Sequence, residues 1–441
     1  MNTDLVRSRL GGLAFASGIA LLLFTLVVKQ SLPGIIRPGF GPNQVVVVAT
    51  GAFLIVLGLL LRRTIRSRIL EHATIAFFSY LLVEIVVSLC YVADLIEPQQ
   101  SIWAFEESGK TIHFDPVRGY FLEPVASRFT RITHGTTEYV GAYKGNNAGF
   151  PDRDDFSAQR DPRHAKRFVV FGDSFSAAQY IARNWPDAVE DETREGPAPL
   201  QLLNFSVDGG GLANWWSILR RIVEAERYEI DGVIFAVLPG DLDRSFAIAD
   251  HVGQTRHMFA RVPSWNPAAF PTTAAAARPL LQPLPGNIVT HEQFERLLEG
   301  RWTPPSNKSF RFYVAWEIAS LIDGIRSRRS APGDGTVFDQ EQEALIRDMR
   351  QSLDAMRVPV MVVHIPSRPE LLEGTTDRRL QAEEEAFVKL LGARFVDGRQ
   401  AFAGSSADQV RAMWLPYDGH WGQGGSDRFA RFMAGVLAQW P

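Results

Sequence analysis

The sequence predicts an α/β domain built on an open parallel sheet with helices on both faces, preceded by three membrane-spanning helices. Three apolar runs of membrane-crossing length occupy the first hundred residues. After about residue 165, short apolar runs of strand length alternate with longer segments whose apolar residues recur at helical spacing. This alternation is typical of parallel sheets, because each parallel connection needs a crossover, which is usually a helix.

Each of the three apolar runs is about as long as a helix needs to cross roughly 30 Å of hydrocarbon. The runs are Leu10–Val28, Val45–Leu61 and Ala73–Ala93. A cleaved signal peptide is the alternative for the first run, but no small-residue cleavage site follows it and two further runs do. Arginines are concentrated before the first run and between the second and third, so these ends are expected in the cytoplasm. We therefore expect a multi-pass protein of a bacterial inner membrane, with everything after about residue 95 on the periplasmic or extracellular side.

Glu84 interrupts the third apolar run. A carboxyl group at mid-membrane is costly, which makes this residue a functional candidate. The alternative is a protonated or helix-paired glutamate inside the three-helix bundle.

The chain is predicted to consist of three parts. Residues 1–95 form the membrane region, 96–165 a lead-in segment of short strands and turns, and 166–441 the α/β domain. An insertion at about 241–337 interrupts the strand–helix order and is interpreted as a cap or mobile loop over the site. The predicted strands of the α/β domain are Phe168–Phe171, Leu200–Phe205, Gly232–Leu238, Val358–His364 and Arg394–Val396, and its predicted helices are Ala213–Ala225, Gln340–Met356, Asp377–Leu391 and Ser426–Ala438.

The composition argues against several classes of function. The net charge is only -3, so nothing indicates a nucleic-acid partner. The single cysteine, Cys90, permits neither an intrachain disulfide nor a Cys-rich zinc site. No histidines have a metal-binding spacing and no glycine-rich loop has a nucleotide-binding spacing, so neither a metal nor a cofactor is expected.

His364 lies at the end of a predicted strand. It either points into the crevice expected at the carboxyl ends of the parallel strands or is a strand-end residue with a satisfied hydrogen bond.

The strongest local signal is the segment FVVFGDSFS, in which an apolar strand ends at Gly172 and is followed by Asp173 and Ser174. A hydroxyl at the carboxyl end of a parallel strand lies where open α/β sheets keep their ligand crevices. Backbone N–H groups of a helix that begins there can stabilise the anion that forms when a carbonyl is attacked. The alternative is that Asp173 or Ser174 is only a helix N-cap.

A second signal, LPYDGHWG, lies near the carboxyl end and precedes the last helix. A serine hydroxyl needs a base, and an imidazole suits that task near neutral pH. In extended backbone, residues i and i+2 project to one side. Asp418 can therefore orient His420 while the other ring nitrogen faces Ser174. The alternative is a surface loop with a chance aspartate and histidine.

Together these two segments resemble the SGNH/GDSL hydrolase superfamily, whose members begin with Gly-Asp-Ser on the first strand and end with an Asp- and His-bearing loop before the last helix. Residues 172–174 and the Asp418-x-His420 pair match both ends in that order, and the resemblance covers about 165–441 without the insertion. It implies a flavodoxin-like three-layer α/β/α domain with Ser174, His420 and Asp418 as catalytic residues. The Asp-x-His spacing is similar to the membrane-linked bacterial branch that includes polysaccharide O-acetyltransferases.

The resemblance also implies an oxyanion hole. The segment NFSVDGGGLAN resembles the family's second block, where a glycine N–H joins that of the nucleophile, Ser174; Gly209 is the best match and Gly211 the next. A strand-to-helix turn that needs positive φ is the alternative for these glycines. The family's third block usually supplies an Asn side chain, but Gly240 or Asp241 stands at that place. One donor of the family pattern is therefore missing.

Three functions remain open. The first is hydrolysis of an acyl ester, either of an envelope or exported carbohydrate or of a small molecule, through an acyl-enzyme. The second is transfer of the acyl group to a polysaccharide by the same triad, with a multi-span membrane partner that passes acyl groups outward. The third is a non-catalytic envelope scaffold that binds glycan, for which the missing Asn is the argument. In each case the lipid bilayer is an expected partner.

Overall fold

The computed structural model describes residues 3–31, 42–62, 68–93, 95–96, 101–107, 111–252, 256–284, 286–304, 312–329, 337–374 and 377–440. The chain forms two compact units. The first contains residues 1–96 together with 309–326, and the second contains the remainder. The first unit thus includes a piece of the predicted insertion in addition to the predicted membrane region.

The regular elements follow one another along the chain as two series. The helices are α1 (Thr3–Ser31), α2 (Pro42–Arg62), α3 (Arg68–Val92), α4 (Ser174–Ala177), α5 (Trp185–Thr193), α6 (Leu212–Ile218, continued by a π-helical turn, Leu219–Val223), α7 (Ala274–Ala277), α8 (His291–Leu298), α9 (Tyr313–Arg329), α10 (Gln340–Met356), α11 (Arg368–Glu373), α12 (Arg378–Leu391), α13 (Ala407–Met413) and α14 (Gln423–Ala438). The strands are β1 (Ser101–Glu106), β2 (Ile112–Asp115), β3 (Gly119–Leu122), β4 (Ser127–Thr133), β5 (Thr136–Tyr143), β6 (Lys166–Phe171), β7 (Leu200–Asn204), β8 (Gly232–Val237), β9 (Ala247–Val252), β10 (Arg256–Arg261), β11 (Gln282–Pro283), β12 (Asn287–Val289), β13 (Val360–His364) and β14 (Arg394–Val396). Short 3₁₀ turns cover Asp241–Asp243, Pro267–Ala269 and Gly398–Phe402.

In the first unit, α1 and α2 pack closely through glycines. A Cβ atom added at Gly18 would lie 2.5 Å from the carbonyl oxygen of Gly51, and one added at Gly58 would lie 2.7 Å from that of Gly11. Small residues at such positions let two helix backbones approach each other, as in membrane helix pairs.

All three predicted apolar runs are helical, in α1, α2 and α3. By length and composition, one helix among the described residues, α3, could cross a membrane, over Thr74–Tyr91. The described apolar stretches of the other three helices of this unit are shorter, at Ser8–Leu23, Thr50–Leu60 and Tyr313–Ile322.

Glu84 is fully buried within the first unit and accepts four hydrogen bonds. Two come from α3 itself, from the hydroxyls of Tyr80 (2.8 Å) and Ser88 (3.2 Å). Two come from the backbone N–H groups of Val314 (2.9 Å) and Ala315 (3.0 Å). N–H groups in the first turn of a helix have no partner within that helix, so the carboxylate caps α9. Glu84 is thus helix-paired, and its partner helix comes from the predicted insertion rather than from the three N-terminal helices.

The second unit is built on five parallel strands in the order β14–β13–β8–β6–β7. Numbered along the chain among themselves, these strands have the order 2-1-3-4-5, which is the flavodoxin-like doubly wound order. In the centre, Val169 of β6 pairs with Leu203 of β7 on one side and Val233 of β8 on the other. Every position of β8 is buried, as the continuous apolar run predicted. The predicted α/β class with a parallel sheet is confirmed, and each predicted strand and helix is present with ends shifted by a few residues.

Helices cover both faces of this sheet. From β6 the chain moves to β7 at one edge of the sheet, and it then crosses back over β6 to reach β8 on the other side. Because parallel connections are right-handed, connections that run in opposite directions along the sheet lie on opposite faces. The crossover helix α5 therefore lies on one face, and α6, α10 and α12 lie on the other. The last helix, α14, packs against α5, with the rings of Trp185 and Phe429 5.3 Å apart. On the opposite face, the Phe387 ring packs on Phe235 at 5.6 Å.

The lead-in segment and the insertion form smaller sheets together. A four-stranded sheet has the order β12–β1–β4–β5, in which β12 of the insertion pairs in parallel with β1 of the lead-in. A second sheet has the order β11–β10–β9, and β2 pairs with β3. The described part of the insertion therefore contributes strands and helices to the fold rather than a plain loop over the site.

His364 ends β13 and is bound on both ring nitrogens. Its Nδ1 lies 3.0 Å from the Glu384 carboxylate and its Nε2 lies 3.0 Å from Glu370. The side chain is only 3 % exposed. Burial alone would lower the pKa of His364, but the hydrogen bonds and charges of the two glutamates raise it to about 9. His364 is thus a satisfied strand-end residue, as the second of the two sequence interpretations held.

We expect the His364 cluster to make the stability of the second unit dependent on pH. The folded-state pKa of His364, about 9, is above its ordinary value of 6.5. The contribution, at most about 3 kcal/mol, is therefore fully present below pH 6.5 and is lost as the pH rises through about 9. Melting temperatures of the full-length chain in detergent at pH 6 and pH 9.5 measure it. The wild type should lose several degrees more than His364→Gln over this interval, and equal losses would contradict the assignment.

Candidate active site

The turn between β6 and α4 presents Ser174 at the carboxyl end of a central strand. Asp173 caps α4, because its side chain accepts the N–H of Phe175 at 2.9 Å. Gly172 is required by the close approach of its neighbours: a Cβ atom there would lie 2.4 Å from Oγ of Ser176. The turn lies where the strand order reverses between β6 and β8, which is where open α/β sheets bind ligands. The N-cap interpretation thus applies to Asp173 and leaves the Ser174 hydroxyl available.

The structure brings Ser174, His420 and Asp418 together although 246 residues separate the serine from the histidine. Oγ of Ser174 lies 2.7 Å from Nε2 of His420. On the other ring nitrogen, Nδ1 of His420 is hydrogen-bonded to Oδ1 of Asp418, which also accepts the backbone N–H of His420 at 3.1 Å. This is the arrangement of nucleophile, base and orienting carboxylate that activates a serine.

The Asp418 segment is a closed turn rather than the extended strand expected from its spacing. The N–H of Leu415 donates to the carbonyl of His420 at 3.0 Å, and Trp414 and Trp421 form an isolated β-bridge. Asp418 therefore reaches His420 across the inside of a turn.

The charges around His420 raise its basicity. Burial acts to lower the pKa of His420, but the hydrogen bond and charge of Asp418, followed by the charges of Asp173 and Asp208, raise it above the ordinary value. Burial acts to raise the pKa of Asp418, but His420 and Arg131 hold it well below its usual range. Asp418 is therefore ionised, and His420 is a stronger base than a free imidazole.

Two charged side chains of the lead-in sheet hold the Asp418 turn. Arg131 of β4 donates through Nη1 to Oδ2 of Asp418. Glu138 of β5 accepts the backbone N–H groups of Tyr417 (2.7 Å) and Asp418 (2.8 Å). The Glu138 side chain is 1 % exposed and lies 3.6 Å from the Arg131 guanidinium. The lead-in sheet therefore fixes the position of the acid/base turn.

Sequence reasoning did not identify Arg131 or Glu138. Arg131 is 287 residues away from Asp418, so no local spacing connects the two. In the sequence the two residues are only charged positions on either side of the turn at His134 and Gly135, within the segment predicted to hold short strands and turns. Such residues usually face solvent, and only the tertiary structure places them on Asp418.

A second charged group lies on the other side of the nucleophile. Arg244 donates to Asp173 at 3.0 Å and to the carbonyl of Gly210 at 3.2 Å, and it forms an ion pair with Asp241 at 2.7 Å. Asp241 is fully buried, and burial together with the charge of Asp173 raises its pKa. Gly240 has a φ of 96°. The place of the family Asn is thus occupied by a glycine and a buried carboxyl, and a guanidinium lies beside Asp173.

The predicted oxyanion donors have the geometry of available N–H groups. Gly209 has a φ of 71°, and its carbonyl accepts from Arg261 at 2.9 Å. Within the described residues, no acceptor is found for the backbone N–H of Gly209 or of Ser174. Gly211 differs, because it is the N-cap of α6, and a Cβ atom there would lie 2.3 Å from the carbonyl oxygen of Asp241. Gly209 and Ser174 therefore remain the predicted donors.

Among the described residues, no cluster of three or more His, Cys, Asp or Glu side chains is arranged to hold a metal ion.

No protein-family model matches the chain, and no curated protein matches it significantly. The chain is similar to solved structures of lipolytic enzymes, including a lipase/acylhydrolase from Enterococcus faecalis (11 % identity, covering 62 % of this chain and 95 % of that chain, TM-score 0.32). Others are the psychrotrophic esterase EstA from Pseudoalteromonas sp. (12 %, 62 % and 98 %, TM-score 0.31) and a GDSL-like lipase from Bacteroides thetaiotaomicron VPI-5482 (10 %, 64 % and 92 %, TM-score 0.30).

We expect Arg131→Ala to slow the reaction of Ser174 with a fluorophosphonate by about 10- to 100-fold, because the acid/base turn loses its anchor. The acidic limb of the pH–rate profile should also move to higher pH, since removal of a nearby positive charge favours the protonated imidazole of His420. Labelling rates of the full-length protein between pH 5 and 9 measure both effects.

Arg131→Lys is the matched control, because it keeps the charge and should retain a profile close to that of the wild type. A profile in Arg131→Ala that is unchanged in both height and position would show that this arginine does not position the turn.

Proposed function

We propose that this chain is a membrane-anchored serine ester hydrolase of the SGNH type. The observation that carries the proposal is the 2.7 Å contact between Oγ of Ser174 and Nε2 of His420, with Asp418 on the opposite ring nitrogen. Ser174 lies at the carboxyl end of β6, at the point where the strand order reverses, and the turn before α14 brings His420 and Asp418 to it.

In the proposed reaction, His420 takes the proton of Ser174 as Oγ attacks the ester carbonyl. The negative charge that develops on the carbonyl oxygen is stabilised by the N–H groups of Ser174 and Gly209. His420 then gives the proton to the leaving alkoxide, which produces an acyl-enzyme and a free alcohol. Water attacks the acyl-enzyme with His420 again as the base, and the acid is released. Asp418 stabilises the imidazolium that forms in each half-reaction.

The missing Asn side chain bears on the rate of this reaction. Loss of one oxyanion donor lowers turnover by about 10²- to 10³-fold in a serine hydrolase. Slow turnover with two backbone donors is therefore expected. Both half-reactions pass through an oxyanion, so both should be slowed, while the order of the steps stays the same.

The substrate is proposed to be an acyl ester of an envelope or exported carbohydrate. The arginines at both cytoplasmic ends of the predicted spans support a catalytic unit outside the cytoplasmic membrane. Esterified carbohydrates at the cell surface are the natural substrates at that location.

Transfer of the acyl group to a polysaccharide hydroxyl is the second candidate, favoured by the Asp-x-His spacing of the catalytic turn. It requires the same residues, with an acceptor alcohol in place of water in the second half-reaction. The donor would come from a multi-span membrane partner.

A fluorophosphonate probe should label the full-length wild-type protein and should not label Ser174→Ala, because Ser174 is the proposed nucleophile. Ser157→Ala, which removes an exposed hydroxyl, is the control and should be labelled like the wild type. Equal labelling of wild type and Ser174→Ala would exclude the catalytic assignment and favour a glycan-binding scaffold.

We expect the chain to stay in the membrane fraction after an alkaline wash, with its second unit outside the cytoplasm. Asp408, whose side chain is 94 % exposed, gives a test position. A Cys90→Ala, Asp408→Cys double variant should react with a membrane-impermeant maleimide in intact spheroplasts. Reaction only after lysis would reverse the proposed topology.

A further inference from the structure

The ring of Tyr180, in the turn after α4, packs directly on the catalytic histidine. The ring centroids of Tyr180 and His420 are 4.6 Å apart. Tyr180 is 7 % exposed, and no atom of the described residues forms a hydrogen bond with its hydroxyl. A buried tyrosine hydroxyl normally has a partner, because an unmet hydrogen bond costs free energy. The ring of Tyr180 contacts His420, and its hydroxyl has no partner among the described residues. We interpret this hydroxyl as one that forms its hydrogen bond with a bound molecule.

The surroundings of this hydroxyl place it among the catalytic groups. Burial raises the pKa of Tyr180, and the charges of Asp173, Asp418 and Asp208 raise it further. The ring of Tyr139 lies 5.8 Å from that of Tyr180 and encloses it from the side of the lead-in sheet.

Asp208 supplies a second polar group without a partner. It lies directly before Gly209, and its backbone carbonyl accepts the hydroxyl of Tyr120 at 3.1 Å, which fixes the position of this residue. In the described part of the chain, no hydrogen bond or ion pair is formed by its half-buried carboxyl group. Burial raises the pKa of Asp208, and the charges of His420 and Arg244 oppose that rise. Asp208 is thus the neighbour of the predicted oxyanion donor Gly209, with its backbone held by Tyr120.

The chemistry of these two groups selects a ligand. A phenol hydroxyl both donates and accepts a hydrogen bond, and a carboxylate accepts two or more. The hydroxyls of an alcohol with several such groups can form hydrogen bonds with both Tyr180 and Asp208. A hydrocarbon chain would remove water from both side chains without offering either a hydrogen bond. In the proposed reaction the leaving alcohol receives its proton from His420, so the alcohol part of the ester lies beside the ring on which Tyr180 packs.

We infer that Tyr180 and Asp208 form the subsite for the alcohol part of the ester and that this subsite takes a polyhydroxylated, carbohydrate-like alcohol. The inference rests on the proposed function and specifies which residues select the substrate. It also distinguishes this site from one that holds a fatty alcohol or a thioester.

Two acetyl esters that differ in their alcohol test the subsite. Methyl 6-O-acetylglucoside carries hydroxyls on the leaving alcohol, and p-nitrophenyl acetate carries none. In the full-length protein, Tyr180→Phe and Asp208→Asn should each lower kcat/KM for the acetylglucoside by about 10- to 100-fold more than that for p-nitrophenyl acetate. Because the charge of Asp208 also raises the pKa of His420, Asp208→Asn should in addition show a smaller loss that is common to both esters. Tyr228→Phe is the control and should alter neither value, because this buried tyrosine packs on Arg167, near the amino end of β6, whereas Ser174 follows the carboxyl end.

The outcomes separate the subsite from the proposed function. Equal losses on both esters, or no loss on either, would overturn the subsite and leave a structural role for the two residues. Tyr180→Phe should also unfold at the same temperature as the wild type or higher, because the hydroxyl has no protein partner to lose.

Absence of any Ser174-dependent hydrolysis of p-nitrophenyl acetate would instead count against the proposed function. In that case, binding of the acetylglucoside to Ser174→Ala decides the subsite: weaker binding to the Ser174→Ala, Tyr180→Phe double variant supports it, and equal or no binding overturns it.

Discussion

The site depends on the ion pair between Arg131 and Asp418. Asp418 is 5 % exposed, and a buried carboxylate is stable only when it is paired and hydrogen-bonded. One of its oxygens is bound to His420 and the other to Arg131. Without the guanidinium, the carboxylate would be only partly compensated, and the turn that carries His420 would lose its attachment to the lead-in sheet. Glu138 extends this attachment to the backbone of the turn. The lead-in sheet is therefore part of the candidate active site rather than a spacer before the α/β domain.

Ser174, the proposed nucleophile, lies near two arginine-centred charge groups. On one side Arg131 pairs with Asp418 and Glu138, and on the other Arg244 pairs with Asp173 and Asp241. Asp418, Asp173 and Asp241 thus each have a cation within reach, which limits the penalty of placing acids around Ser174. The negative charges that remain near His420 raise its pKa and favour the imidazolium that forms during attack. Because no Asn stands at 240, the proposed reaction relies on backbone donors for the oxyanion, in a site that already contains the Arg244 guanidinium.

Neither structural unit is made from one continuous stretch of chain. The first unit takes α9 from the middle of the sequence, and the chain passes between the two units three times. The attachment of α9 has a clear physical cause, since Glu84 accepts N–H groups that a helix cannot satisfy by itself. An acid in an apolar helix therefore recruits a helix from the insertion. In the second unit the insertion is equally integrated, because β12 extends the sheet formed by the lead-in strands.

The sequence alone determined the parallel sheet, the position of Ser174 and the pairing of Asp418 with His420. These features are encoded locally. Buried parallel strands are continuous apolar runs, and the glycine before Asp173 and Ser174 marks a tight turn. The short spacing of two positions between Asp418 and His420 keeps the carboxylate close to the imidazole. Only the tertiary structure decided the roles of Arg131, Glu138, Arg244 and α9. Their partners are distant in sequence, and a charged residue on a strand has the same local pattern whether it faces solvent or a buried carboxylate. Packing of the lead-in sheet on the catalytic turn removes that ambiguity, because burial leaves each charge stable only beside its partner.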